Sequence, residues 1–220
     1  MTRSGEGASP GASGAGRLAG NGIELVRERT LAARVQTGLE RIYQLDRVAD
    51  VGDYVRGAQD GEREALLVRR GEDGAVEVSL RLPQLEGEAN LDALCQIIEG
   101  VSHFVCVVDR ARIERETTHL ELELQAEVDK WVVLAASIRE FDAARSAALR
   151  AHLYERVAFD HDERTEAGER YRVANDVAHR FVRRLEREYV DHARFAEMRA
   201  ELRRFFRVGQ EEKLRLGRAA

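Results

Sequence analysis

The sequence predicts an α+β protein that is predominantly α, with long antiparallel helices (a bundle or coiled-coil-like packing) and one β-hairpin. Three observations carry this. Only two prolines occur, Pro10 and Pro83, and proline is the strongest helix breaker. Between Gly100 and Gly168 there is no glycine either, so more than 60 consecutive residues lack both punctuators. Apolar residues recur at intervals of three and four through most of the chain. The length of 220 residues fits one domain, or one domain with a helical extension, and 44% apolar residues suffice for a core.

Residues 1–20, rich in Gly, Ser and Ala, read as a disordered tail without the apolar run of a signal peptide. The helical domain is placed at 21–165. Asn21 is a candidate cap for a first helix to about Asp46, with Ile23, Val26, Leu31, Val35, Leu39 and Ile42 as its stripe. Arg47 to Gly61, with three glycines, reads as loop or short helix.

The hairpin is placed at about 64–82. Glu64–Arg70 is a β-compatible run, and Val76, Val78, Leu80 and Leu82 alternate with polar residues on the other face. Asp73-Gly74 supplies a tight turn, and Pro83 ends the second strand. Asn90 then caps a helix striped by Leu91, Leu94, Ile98, Val101, Val105 and Val108, widened by Ile97, Phe104 and Val107 into the most buried element. Thr117 or Thr118 opens the next helix, whose stripe from Leu120 through Trp131 and Ile138 runs on through Phe141 to Leu153. Polar residues at Phe159-Asp-His-Asp162 predict a break. Basic C-terminal helices occupy 166–208, interrupted near Asp191, and 209–220 reads as a polar tail.

Charge is uneven along the chain. From Arg170 to Ala220 there are fourteen Lys and Arg against eight Asp and Glu, a net of +6. The rest must carry −11, because the whole chain has −5. Such polarity is an argument about partners and self-association. Arg180, Arg183, Arg184 and Arg187 form one basic stripe, and Phe205-Phe206 places two aromatic rings about 100° apart, one of them expected at the surface. These six residues are the candidate partner-binding set. A protein partner is favoured over nucleic acid because Glu186, Glu188, Glu197 and Glu201 interleave with the arginines. The helical seam also fits a homo-oligomer.

Two cysteines, Cys95 and Cys106, fall in one predicted helix. Eleven residues at about 1.5 Å each put them roughly 16 Å apart, too far for a disulfide. Free thiols, and no run of ~20 apolar residues, fit a cytoplasmic location away from membranes.

No GxSxG elbow, phosphate loop or HExxH motif occurs. The pair with most chemistry is Glu99 and His103, one helical turn apart, where a carboxylate can orient an imidazole or share a metal with it. Glu116-Thr-Thr-His119 opens the next helix, and Glu123 and Glu127 continue its side. Glu99, His103, His119 and Glu123 are therefore the candidate divalent-metal ligands; no other cofactor is expected. His161-Asp162 resembles the paired ligands of metal phosphohydrolases only at two residues. The favoured function is a non-enzymatic cytoplasmic scaffold or adaptor that holds a protein partner through the basic C-terminal helices. The alternative is a metal-dependent helical enzyme with a Glu/His site between adjacent helices.

Overall fold

The computed structural model describes residues 25–58, 63–70, 76–85, 90–157, 159 and 162–218. It is predominantly helical with a small sheet. Helix α1 spans Val26–Tyr43, α2 Val51–Tyr54, α3 Leu91–Arg112, α4 His119–Ser137, α5 Ala143–Arg150, α6 Glu166–Glu188, α7 Phe195–Arg207 and α8 Gln210–Arg218. The strands are β1 Val55–Gly57, β2 Ala65–Arg70 and β3 Val76–Leu82.

Helices α3, α4, α5 and α6 start at side-chain caps. Asn90 accepts from the Ala93 amide, Thr118 from Glu121, Asp142 from Arg145 and Thr165 from Gly168. Each satisfies an amide that the first helical turn leaves without a carbonyl.

The sheet is mixed, with strand order β1-β3-β2, where the sequence predicts a two-stranded hairpin. The antiparallel pairing of β2 with β3 is present, with Leu66 opposite Leu80. β1 adds to the other side of β3 in parallel, with Val55 opposite Leu80. The Asp73-Gly74 turn and the 1–20 tail lie outside the described residues. Leu80 and Leu82 are fully buried and press on α3 at Gly100. A Cβ there would come within 2.8 Å of Leu80, so glycine allows the sheet its close approach.

α3 is the core helix. It has the length and hydropathy of a membrane span, yet most of that stretch is buried within the protein. Ile97, Val101 and Phe104 meet Leu124, Val128 and Trp131 of α4 in one core that also takes Phe181, Phe205 and Phe206. Pairs Arg110–Glu121, Ser102–Asp129 and Lys130–Glu99 step in opposite directions along α3 and α4, which therefore run antiparallel.

Two element boundaries differ from the sequence reading, and a third expected break is present. The α4 helix stops at Ser137 instead of running on, because Glu140 takes a left-handed φ of 54° and Asp142 caps a new helix. That break turns the Phe141 ring edge-on to Trp131, 6.0 Å between centroids. The segment taken as a polar tail forms α8, which docks on α6 and buries Lys213 and Leu216. Near Asp191 the expected interruption is a short 3-10 turn, Val190–His192, followed by Ala193 at φ 54°.

Candidate metal centre

Glu99 and His103 lie one turn apart on α3, and the packing of α4 brings Glu123 opposite them. One donor atom from each of the three lies within 4.8 Å of the other two, and all three residues are buried. His103 Nε2 stands 3.7 Å from Glu123 Oε2, beyond hydrogen-bond distance, and is buried without a hydrogen-bond partner. A buried nitrogen aimed at a carboxylate but not bonded to it has the spacing that an intervening ion would fill.

The surrounding charges complete the centre. Lys130 of α4 reaches Glu99 Oε2 at 3.0 Å and Glu127 Oε1 at 2.7 Å. Arg170 of α6 stands 3.8 Å from Glu123 Oε1. Glu64, just before β2, lies against Gly100, and its amide donates to Gln96 Oε1 of α3.

Burial sets most of the protonation states. It pushes the Glu123 carboxyl up to about 8, with Glu99 adding to the rise. It pushes Glu64 up to about 9 for the same two reasons. Glu127 is also raised, chiefly by burial. Burial acts in the same sense on Glu99, but the Lys130 ammonium outweighs it and holds Glu99 below its ordinary range. Burial lowers His103, which keeps the imidazole neutral, the form that ligates metals. Burial opposes the charge on Lys130, yet Glu127 and Glu99 together hold that ammonium firmly protonated. The interior thus gathers four carboxyl groups, and protons occupy some of them where a cation otherwise would.

Of the four ligands expected from the sequence, His119 does not join the set. It is the first residue of α4 and exposed, one turn before Glu123, at the end where the 113–118 connection joins α3 to α4. Glu116 of the same motif is exposed as well. Lys130, Arg170 and Glu64 were not singled out from the sequence. Lys130 follows Glu123 and Glu127 at helical spacing, so an all-charged row on an otherwise apolar helix was the available signal. Glu64 and Arg170 come from distant segments and leave no local signature.

The basic set is dispersed rather than assembled. Phe205 and Phe206 are both buried, which overturns the expectation that one is exposed. Phe205 stacks on Phe181 at 4.3 Å and Phe206 on Tyr43 at 4.5 Å, because α7 turns both rings inward between α1 and α6. Arg184 is buried too, bonded to Glu201 at 2.6 Å and Glu188 at 3.2 Å. Arg180 pairs with Asp176 and Arg187 with Glu188, and both arginines remain largely exposed. Arg183 is exposed and has no ion pair among the described residues. Of the His161-Asp162 pair, His161 lies outside the described residues. Asp162 is a turn residue, accepting from the Arg164 amide at 2.8 Å.

A second buried polar network lies one to two turns away. Asp129 accepts from Tyr43, from Ser102 at 2.6 Å and from Gln125 at 2.9 Å. Lys213 of α8 donates to Gln125 and to the Phe205 carbonyl at 2.7 Å. Every polar group there has a hydrogen-bond partner, which marks it as structural.

No family model, curated protein or solved structure matches the chain.

Proposed function

We propose that the protein binds one divalent transition-metal ion between α3 and α4, ligated by Glu99, His103 and Glu123, and works as a metal-dependent helical enzyme. The observation that carries this is the buried, unpartnered His103 Nε2, grouped with two carboxylates inside 4.8 Å. One neutral imidazole and two carboxylates suit Zn, Mn or Fe(II). Three protein ligands leave a coordination position for water or substrate, the arrangement of catalytic rather than structural sites. Glu127, its carboxyl raised by burial, flanks the ligands as a group for proton transfer, and Lys130 beside it supplies a fixed positive charge.

The test is metal uptake by the chelator-treated full chain, measured by elemental analysis and calorimetry with Zn, Mn and Fe(II) in turn. One ion per chain is expected, with a rise in Tm. At a hundredfold excess over Kd the added stability is about 2.7 kcal/mol. His103→Ala and Glu123→Gln should each abolish uptake while the chain stays folded. Folded wild-type protein that takes up none of the three metals would refute the proposal.

The scaffold or adaptor reading is supported by the solvent-facing guanidinium groups of Arg180, Arg183 and Arg187. It loses Arg184, Phe205 and Phe206 to the interior. Its test is charge reversal at Arg183 and Arg187, which should release a protein partner captured from cells; undiminished capture would refute it.

A further inference from the structure

Where α4 breaks, a hollow opens between its C-terminal turn, the link to α5, and α7. Its volume is about 330 Å³, within the range of small-molecule pockets. Trp131 forms part of its wall, and Phe141, Phe195 and Met198 surround it as half-buried apolar side chains. The three rings follow one another, Phe141 lying 6.0 Å from Trp131 and 6.4 Å from Phe195. No residue of the metal centre lines the hollow, so it stands independently of that reading.

The lining carries a single charge, Arg199, at the exposed edge. Of its neighbours, Arg194 just before the helix pairs with Glu197, Arg203 donates to the Ile42 carbonyl, and Arg204 pairs with Glu201 and Glu212, while Arg207, like Arg199 without a partner among the described residues, does not line the hollow. Arg199 has no hydrogen bond or ion pair among the described residues, and no acid lines the hollow to compete for it. An apolar, aromatic-walled cavity with one unspent guanidinium at its mouth is complementary to a molecule with an apolar body and one anionic head.

We propose that this cavity binds a small amphipathic monocarboxylate, its chain against Trp131, Phe141 and Phe195 and its carboxylate on Arg199. At roughly 30 Å³ per water-sized group, 330 Å³ holds about eleven such groups, the size of a decanoate.

Trp131 is the sole tryptophan of the chain, so its emission reports directly on the cavity. The experiment titrates the full chain with saturated fatty acids of six to fourteen carbons, with decanol, and with decyltrimethylammonium. Decanoate should produce a saturable change. Affinity should rise about fourfold per methylene up to the length that fills the cavity, then level off. Arg199→Gln should weaken decanoate roughly tenfold and leave decanol unchanged. Ala136→Phe, which fills the exposed edge, should weaken both. Arg199 and Ala136 are both surface residues, and circular dichroism confirms that each variant is folded. Three results would overturn the proposal: no saturable change, equal affinity for the ammonium probe, or affinity that climbs with chain length without a plateau. So would emission that varies with protein concentration in step with a doubling of mass in light scattering, since a second copy would then occupy this face.

Discussion

Replacing Lys213 with methionine tests whether α8 is held in place at an electrostatic cost. The ammonium is fully buried, with Gln125 and the Phe205 carbonyl as its neutral acceptors and the Phe205 ring beneath it at 4.2 Å. Burial pushes it from an ordinary 10.5 down to about 7. At about 1.4 kcal/mol per pH unit, holding that charge inside costs on the order of 5 kcal/mol below pH 7. Between pH 7 and 10.5 the folded lysine is neutral while the unfolded one is protonated. The unfolded state then binds more protons, so this residue's contribution to stability rises with pH. Glu64 and Glu123, raised to about 9 and about 8, pull the opposite way through the same window. The informative quantity is therefore the difference between the wild type and Lys213→Met. Methionine leaves two acceptors unpaired, a cost of about 1–3 kcal/mol each that does not depend on pH. Urea unfolding at pH 7.0 and 8.5 should show the difference moving in favour of the wild type by about 2 kcal/mol. The range stops there because the thiols of Cys95 and Cys106, pushed up to about 11 by burial, begin to matter above their ordinary 9.0. A difference that stays constant across this range would show that Lys213 keeps an ordinary pKa in the folded protein.

The aromatic pair gives a simpler expectation. Phe206→Ala removes a ring that is 1% exposed, stacked on Tyr43 and overlain by the Arg110 guanidinium 5.3 Å from its centroid. Loss of about 3–5 kcal/mol is expected in chemical denaturation. A change under 1 kcal/mol would return Phe206 to the surface role expected from the sequence.

Much of the helical framework was legible because burial and periodicity coincide. Ile98, Val101 and Val105 were placed on one stripe of α3 and all are buried, as are Leu124, Val128 and Trp131 on α4. What escaped has physical reasons. The break after Ser137 contains neither proline nor glycine and is made by a left-handed Glu140, a conformation no periodicity reveals. β1 has three residues, too few to show alternation. α8 was read as a tail because its inward face carries a lysine, and burial of Lys213 depends on acceptors from α4 and α7. In the metal centre, Glu99 and His103 were visible as an i, i+4 pair. Glu123 was visible only together with His119, since the sequence places both on one face and cannot say where along α4 the neighbouring helix ends.

The C-terminal charge shows how a linear count misleads about a surface. The +6 of the last segment looked like a face for a partner, yet charge separated along the chain is not separated in space. Arg170 turns toward Glu123 of α4 and Arg203 donates to the Ile42 carbonyl of α1, while within the segment Arg184 pairs with Glu201 and Arg204 with Glu212. Arg110 and Arg115, from the acidic portion, cap the Phe206 and Arg207 carbonyls at the end of α7, where cations complement the helix dipole. Arg172 also has an internal interaction, which leaves Arg183, Arg199, Arg207 and Arg218 as the basic residues of this segment without an ion pair or hydrogen bond among the described residues. Recognition of an anion needs a free guanidinium and something beside it for the rest of the ligand to bury. Of these four, Arg199 and Arg218 each border a hollow. The one at Arg218 is lined by Glu211, Leu214 and Arg215, mostly charged side chains of a single helix. Of these two hollows, the one at Arg199 has the aromatic walls, and its position follows from the same α4 break that the sequence concealed.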